Sequence, residues 1–552
     1  MERQVLAQAT PRRVSRRAFL HFSGLAGLAA VLAACAQPTP TPAPTPTMSA
    51  ATPAGQAPAT QPPALPTAVA TPADPTPRLQ RVDILAGTTV APPTPRDSNL
   101  YWQEIEKRLG CRINFNLVPS AEYNAKLGAV LASGDIPDVI GGSPSNVLIR
   151  RAILEGAFMK LQDLGLPDET RGYPGLKSLP DYTWRNSSFN GVIWGLPAEQ
   201  QRYSYATFLR KDWLDKLGLP VPTTVKDFKV VLEAFAKRDP DANGKADTIG
   251  FSICKDRTGT SGGGWYAFTE PFGVPNKWRL ERDGKLLHMD VSPEMKAAIL
   301  YMRELYSAGV FNPDFPTLGR VESSNEFSSG RAGGLNHNLA SGYDLLGADL
   351  RKVIPTAVVY PITPPQADGY RIATRFGPGF GGYANIHAKY AKDPELAWEL
   401  LRVLDFWLDP ATYDFVNFGL EGIHHTKRPD GSLAQTERGT ADIAGIRFWS
   451  LRHGLKYVDA PYVTPATREQ IKKDTERLSA FGIEDPTWGV YPELGADDPS
   501  AKLSELADTL FPRIVRGQEK PEAFDAFVSD WYKQGGTLLT EEWTRMYHKA
   551  KG

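Results

Sequence analysis

From residue 82 onward, short apolar runs alternate with longer stretches of helical periodicity. Residues 82–86 read as a strand, 100–109 as a helix, 113–118 as a strand, 123–131 as a helix and 138–140 as a strand. Gly87, Gly110, Pro119 and Pro137 punctuate the joints. Each interval between strands is long enough for a helical crossover, so the pattern predicts a parallel sheet covered by helices. Ligands of open sheets sit at the carboxyl ends of the strands, which makes the loops after Ala86 and Ile140 candidate ligand walls.

A second region of the same kind opens near Phe208. Its best-signalled helix starts at Thr224, with Asp227 three residues on as a capping pair, and carries Val225, Phe228, Val231, Leu232 and Phe235 on one face. Pro361, Pro364 and Pro365, then Gly377, Gly379, Gly381 and Gly382, interrupt the pattern and read as a crossing between lobes. Helical periodicity dominates afterwards, at 395–408, 410–418, 465–481, 501–516 and 521–534. No internal repeat is present.

The first 79 residues follow neither period. Arg16-Arg17 precede an apolar run from Phe22 to Ala34 that is too short for a stable membrane span and reads as a twin-arginine export signal. The small residues of Leu32-Ala33-Ala34-Cys35 resemble the lipobox of bacterial lipoproteins, which predicts removal of residues 1–35 and a lipid on Cys35. Residues 36–79 consist mainly of Pro, Thr, Ala and Gln. They lack the large apolar side chains that offset ordering entropy, so they are expected to form an extended tether holding the rest off a membrane.

Charge narrows the partners. The 62 Lys and Arg balance 62 Asp and Glu, and loss of the arginine-rich first segment leaves a mildly acidic remainder without a long basic run. Nucleic acid is therefore not an expected partner. Roughly 470 residues suffice for two lobes with separate cores. Cys111 and Cys254 are far apart in sequence and read as buried free thiols, with a disulfide between them left open.

Four stretches together resemble the extracellular solute-binding proteins of bacterial ABC importers, in the lipoprotein branch that includes oligosaccharide and alginate binders. They are Leu131-Ala132-Ser133-Gly134-Asp135-Ile136-Pro137-Asp138-Val139, the run from Leu209 through Lys211-Asp212-Trp213-Leu214 to Leu219, Asp239 to Asp247, and Asn417-Phe418-Gly419-Leu420-Glu421-Gly422-Ile423-His424. The resemblance implies a type II periplasmic-binding-protein-like fold, with two α/β lobes, a hinge and a ligand cleft between them. On that expectation 80–205 and the return segment 361–420 build lobe 1, 206–360 build lobe 2, and 421–552 supply C-terminal helices mainly to lobe 2. It further implies a monomer that passes an oligosaccharide to ABC permease subunits and performs no catalysis.

Independently of the family, Asp239, Asp241, Asn243, the Lys245 carbonyl and Asp247 occupy positions 1, 3, 5, 7 and 9 of a calcium loop, with Gly244 at the sharp turn. Hard oxygens alternating along one tight loop suit Ca2+, and a structural rather than catalytic ion is expected. Position 12, the usual glutamate, is Gly250. Thr248 stands where related alginate binders carry an acid.

Sugar rings need flat apolar faces and planar polar groups. Trp265 and Tyr266 after a glycine run, Trp194 near the first crossing, Tyr182 and Trp184 in a polar loop, and Arg375, Phe376 and Tyr383 in the glycine-rich crossing meet that need. Glu421 and His424 join them because the matching family loop borders the cleft. Two other readings compete: a secreted carbohydrate enzyme with paired carboxylates, and a binder of peptide or another solute serving a membrane sensor. The sequence carries no nucleophile elbow, HExxH pair or phosphate loop.

Overall fold

A computed structural model of the protein describes residues 78–551 apart from 204, 259–263, 448–450 and 452–462. Arg16-Arg17, Cys35 and residues 36–77 of the tether lie outside the described residues. The strands that organise the two lobes are, in chain order, β1 (Arg81–Thr88), β2 (Arg112–Pro119), β3 (Val139–Gly141), β4 (Gly195–Glu199), β5 (Tyr205–Arg210), β6 (Gly334–Asn338), β7 (Val359–Ile362) and β8 (Phe380–Ile386).

Lobe 1 is a five-stranded sheet in the order β2-β1-β3-β8-β4. β1 runs parallel to β2 and β3, pairing Ile84 with Phe115 and with Val139. β8 returns antiparallel to both β3 and β4. β1 is apolar and buried through Ile84-Leu85-Ala86, as a central strand must be, whereas β2 alternates Arg112, Asn114 and Asn116 outward with Ile113 and Phe115 inward, as an edge strand can. Helix Leu100–Leu109 joins them, its first turn capped by the Asn99 side chain and its end closed by Gly110 at φ 70°. Ile84, Ile105, Phe115, Leu401 and Trp407 belong to one core. Leu79, placed at the end of the tether by its sequence, belongs to that core at 7 % exposure. The backbone N–H groups of Arg78 and Leu79 donate to the Glu399 carboxylate, so the ordered body takes in the tether's last two residues.

Lobe 2 has a three-stranded sheet, β6-β5-β7, in which β5 is antiparallel to both neighbours. Among the described residues, parallel pairing onto this sheet is confined to single bridges such as Ser252 with Leu335. The helix signalled by Thr224 and Asp227 forms over Val225–Lys237 with a complete capping box. Its Phe228, Val231, Leu232 and Phe235 enter a core rich in aromatic rings, among them Trp213, Phe251, Phe268, Phe511 and Trp531. The change of lobe near the C-terminus falls after Leu451. Helix Glu437–Arg447 puts Ile443 and Ile446 into the first core, whereas Ile471 and Leu478 of the next helix pack with Phe208 and Leu335 of lobe 2.

Two crossings lie side by side. Beyond the Glu199–Phe380 pair, Gln200 N–H donates to Gly379 O at 2.9 Å and Gly377 N–H to Arg202 O at 2.5 Å. The guanidinium of Arg202 lies 4.7 Å from the Tyr182 ring of lobe 1 and 4.4 Å from the Phe376 ring, and is ion-paired with Glu484. Gly379, at φ 82°, is required here: a Cβ would sit 2.4 Å from the Tyr182 ring.

Candidate functional site

Against these crossings lies a cavity of about 460 Å³, lined by Tyr266, Asn276, Lys277, Arg375, Phe376 and Trp488 among others. It unites three of the sequence-derived candidates. Arg375 and Phe376 arrive on the second crossing, and Tyr266 opens a short helix in lobe 2. The Arg375 guanidinium lies 4.6 Å over the Tyr266 ring, which meets Tyr205 edge to face at 6.1 Å. Asn276 ties the sides together, its amide donating to Phe376 O at 2.9 Å and Ile483 O at 3.1 Å.

Charge in the wall is unevenly compensated. Arg257 is fully buried and ion-paired with Asp290, and bonds Asp508 at 3.0 Å. Glu270 is buried near Arg375, and desolvation pushes its carboxyl up to about 8, so it is largely neutral at pH 7. Asp485 is pushed up to about 6 by burial, and accepts from the Thr487 N–H at 2.9 Å and hydroxyl at 2.7 Å. Burial lowers His288 to about 4; this neutral imidazole lies between Trp278 at 4.8 Å and Trp531 at 5.4 Å. Trp278, Trp531 and Trp543 also line the cavity, and their buried indole N–H groups have no acceptor. These three indoles are core residues behind the cavity, whereas the half-buried Tyr266 ring beside the planar Arg375 fork has the surface chemistry that a pyranose ring fits.

Other sequence-derived candidates lie elsewhere, and three need correction. Trp265 has 0 % exposure, with its indole N–H on Cys254 O at 3.2 Å, so neither face is open to a ligand. Tyr383 is buried inside the lobe 1 sheet, packed over Gly195, where a Cβ would lie 2.2 Å from its ring. His424 is a turn residue: its Nδ1 accepts from Leu420 N–H at 2.9 Å and its Nε2 faces Asp442 at 3.3 Å, with no exposed surface. Glu421 is on the surface, paired with Lys427 at 3.0 Å. Trp194 is half-buried in lobe 1, with Lys160 5.5 Å over its ring. Tyr182 donates to Glu199 at 2.8 Å, and Trp184 is core. Cys111 and Cys254 are buried and form no disulfide, so the pairing left open by sequence is not made.

In the candidate calcium loop the Asn243 amide donates to Asp241 at 2.8 Å and Asp247 at 3.0 Å, while Asp239 accepts the N–H groups of Asn243 and Gly244 at 3.0 Å each. Asp239 is held below the ordinary range by its hydrogen bond with Asp241, which is itself held up by burial and by Asp239. Among the described residues no group of three or more His, Cys, Asp or Glu is disposed to hold a metal as it stands. The donor chemistry nonetheless suits a hard cation, because Asp241 and Asp247 gather on the Asn243 side-chain amide and Asp239 on the adjoining backbone N–H groups. Position 12 could carry no glutamate: a Cβ on Gly250 would lie 2.4 Å from Leu232 O. Thr248 is engaged with Phe235 O at 2.7 Å.

Residues 94–411 match the family model of the bacterial extracellular solute-binding protein. The chain belongs to that family. It is 24 % identical over 463 residues to the polygalacturonan/rhamnogalacturonan-binding protein YtcQ of Bacillus subtilis, covering 81 % of this chain and 88 % of the relative. Its fold is that of an HMO-binding ABC-transporter-associated solute-binding protein from Bifidobacterium longum infantis, with TM-score 0.64, 19 % identity, and coverage of 86 % of this chain and 99 % of the other. It also superposes on the S. pneumoniae ABC-transporter substrate-binding protein FusA, solved as an EF-hand mutant with fructo-nystose, at TM-score 0.58 and 18 % identity, covering 85 % of this chain and 99 % of that one. The type II two-lobed solute-binding fold expected from sequence is the one found. No described helix is long and apolar enough to cross a membrane.

Proposed function

We propose that this solute-binding protein captures an oligosaccharide between its lobes and hands it, chemically unaltered, to an ABC importer. The observation that carries the reading is the meeting of Tyr266, Phe376 and Arg375 in one cavity against the crossings. A ligand seated there touches the strand about which the lobes would swing. Only contacts that differ between open and closed forms shift their populations, so binding at the hinge gives the sugar leverage over closure. YtcQ and the HMO-binding protein support the carbohydrate class by name, and FusA supports the transporter. The lipobox at Cys35 and the Pro/Thr-rich stretch support anchoring to the outer face of the cell membrane after twin-arginine export. A monomer meets the permease in this scheme.

The test is a calorimetric screen of oligosaccharides followed by small-angle scattering of the complex. A binder is expected to shrink the radius of gyration and to be recovered intact. Cleavage of the glycan, or an unchanged scattering profile with every bound solute, would overturn the proposal.

Calcium at Asp239, Asp241, Asn243, the Lys245 carbonyl and Asp247 is part of the same reading. The ion would take the place now held by the Asn243 amide among the carboxylates and fix the loop that follows helix Val225–Lys237. With calcium at a hundred times its Kd, linkage predicts stabilisation of about 2.7 kcal/mol. Thermal unfolding with calcium and with chelator measures it, and Asp241→Asn is expected to abolish the difference. An equal response in that variant would place the ion elsewhere.

A further inference from the structure

We infer that the cavity at the crossings takes an acidic oligosaccharide, its sugar carboxylate held by Arg375 and Lys277. The inference rests on the carbohydrate reading and names its class. Three cations line the cavity; Arg257 is ion-paired with Asp290 and Asp508, and Asp485 of the same lining feels the charge of Lys277 without forming an ion pair. Among the described residues neither Arg375 nor Lys277 has a carboxylate within ion-pair distance. Arg375 rests on the Tyr266 ring and, at 3.9 Å, on Met289 Sδ, and its buried Nε has no partner. Lys277 is held in the left-handed region at φ 63° with its ammonium 4.8 Å over the Trp543 ring. The bond from Asn276 to Phe376 O couples the residue before Lys277 to the residue after Arg375, so the two cations share one edge of the cavity.

The hydrogen-bonding balance points the same way. The buried unpartnered polar atoms in this wall are donors, Arg375 Nε among them. Asp290 is engaged with Arg257, and one oxygen of Asp485 accepts from both the N–H and the hydroxyl of Thr487. An ionised carboxylate only accepts. Arg375 presents a planar fork that suits it, and Lys277 adds a point charge.

The probes are oligogalacturonides of defined length, the same oligomers fully methyl-esterified, neutral galacto-oligosaccharides and inorganic phosphate, each titrated calorimetrically into the protein. The free acids are expected to bind at least about tenfold more tightly than the esters, with the gap narrowing as salt rises. Arg375→Gln and Lys277→Gln are each expected to weaken acid binding about ten- to a hundredfold while leaving the melting temperature within a few degrees. Esters or neutral oligomers binding as tightly as the acids would overturn the inference and leave sugar capture standing. Phosphate competing at the affinity of the uronide would make this a general anion site and overturn it too. Undiminished acid binding in both variants would remove the two cations from the site. Failure of every oligosaccharide, charged or neutral, would bring down the carbohydrate reading and this inference with it.

Discussion

Replacing Arg257 with methionine is expected to cost the folded body roughly 3–5 kcal/mol, as the loss of one partner from a buried ion pair does. The pair with Asp290 has side-chain exposures of 2 % and 3 %, so neither water nor salt screens it. Methionine would fill much of the vacated volume. The cost therefore comes from the charge left behind on Asp290, whose other close neighbours are the neutral His288, 3.7 Å away, and the apolar rings of the cavity. Asp508 loses its contact as well but is half exposed, and its share should be small. One further measurement separates this account from simple loss of packing. Adding Asp290→Asn to Arg257→Met should recover part of the deficit in urea unfolding at neutral pH. A deficit below about 1 kcal/mol, or one that the second substitution does not move, would mean that water reaches this pair.

Lobe 1 was legible because each of its steps carries its own period. Ile113 and Phe115 alternate within β2, and helix Leu100–Leu109 is bounded by an asparagine and a glycine that perform the expected capping. β8 was harder to see. Its glycines stand at the start of the strand, but nothing local in Tyr383-Ala384-Asn385-Ile386 announces insertion between β3 and β4, since that depends on partners about 190 to 240 residues upstream. The site divides in the same way. Tyr266, Arg375 and Phe376, singled out for flat or planar side chains, line one cavity. Trp265 and Tyr266 are neighbours with opposite fates, the first turned into the core and the second toward the cavity, and no sequence pattern in so short a helix separates them. Trp531 and Trp543 sit on helices whose periodicity reads as packing, which they also provide. Lys277 carries no local sign at all. His424 misled because its partner Asp442 lies 18 residues on, on a different element.

Gly379→Ala should be the most telling substitution for the hinge. Two costs add. A non-glycine residue at φ 82° pays about 1–2 kcal/mol for the left-handed region, and the new methyl, 2.4 Å and 2.6 Å from two Tyr182 ring carbons, adds about 1–3 kcal/mol of overpacking. Tyr182 cannot retreat freely, because its hydroxyl is bonded to Glu199 and its face supports Arg202. Displacement of that ring would loosen the Arg202 guanidinium held between Tyr182 and Phe376, and Phe376 lines the cavity. The expected result is a loss of about 2–5 kcal/mol in stability together with weaker ligand binding, since strain that eases when the lobes part is paid again at each closure. Gly369→Ala provides the comparison. Gly369 has φ 81° in the same crossing but nothing within 4 Å of its would-be Cβ, so it should bear the backbone cost alone and bind ligand normally. If both variants lost the same stability and neither lost affinity, the Tyr182–Arg202–Phe376 stack would have no part in closure, and the lobes would have to turn about the segment around Glu484, which joins the crossing through Arg185 and Arg202.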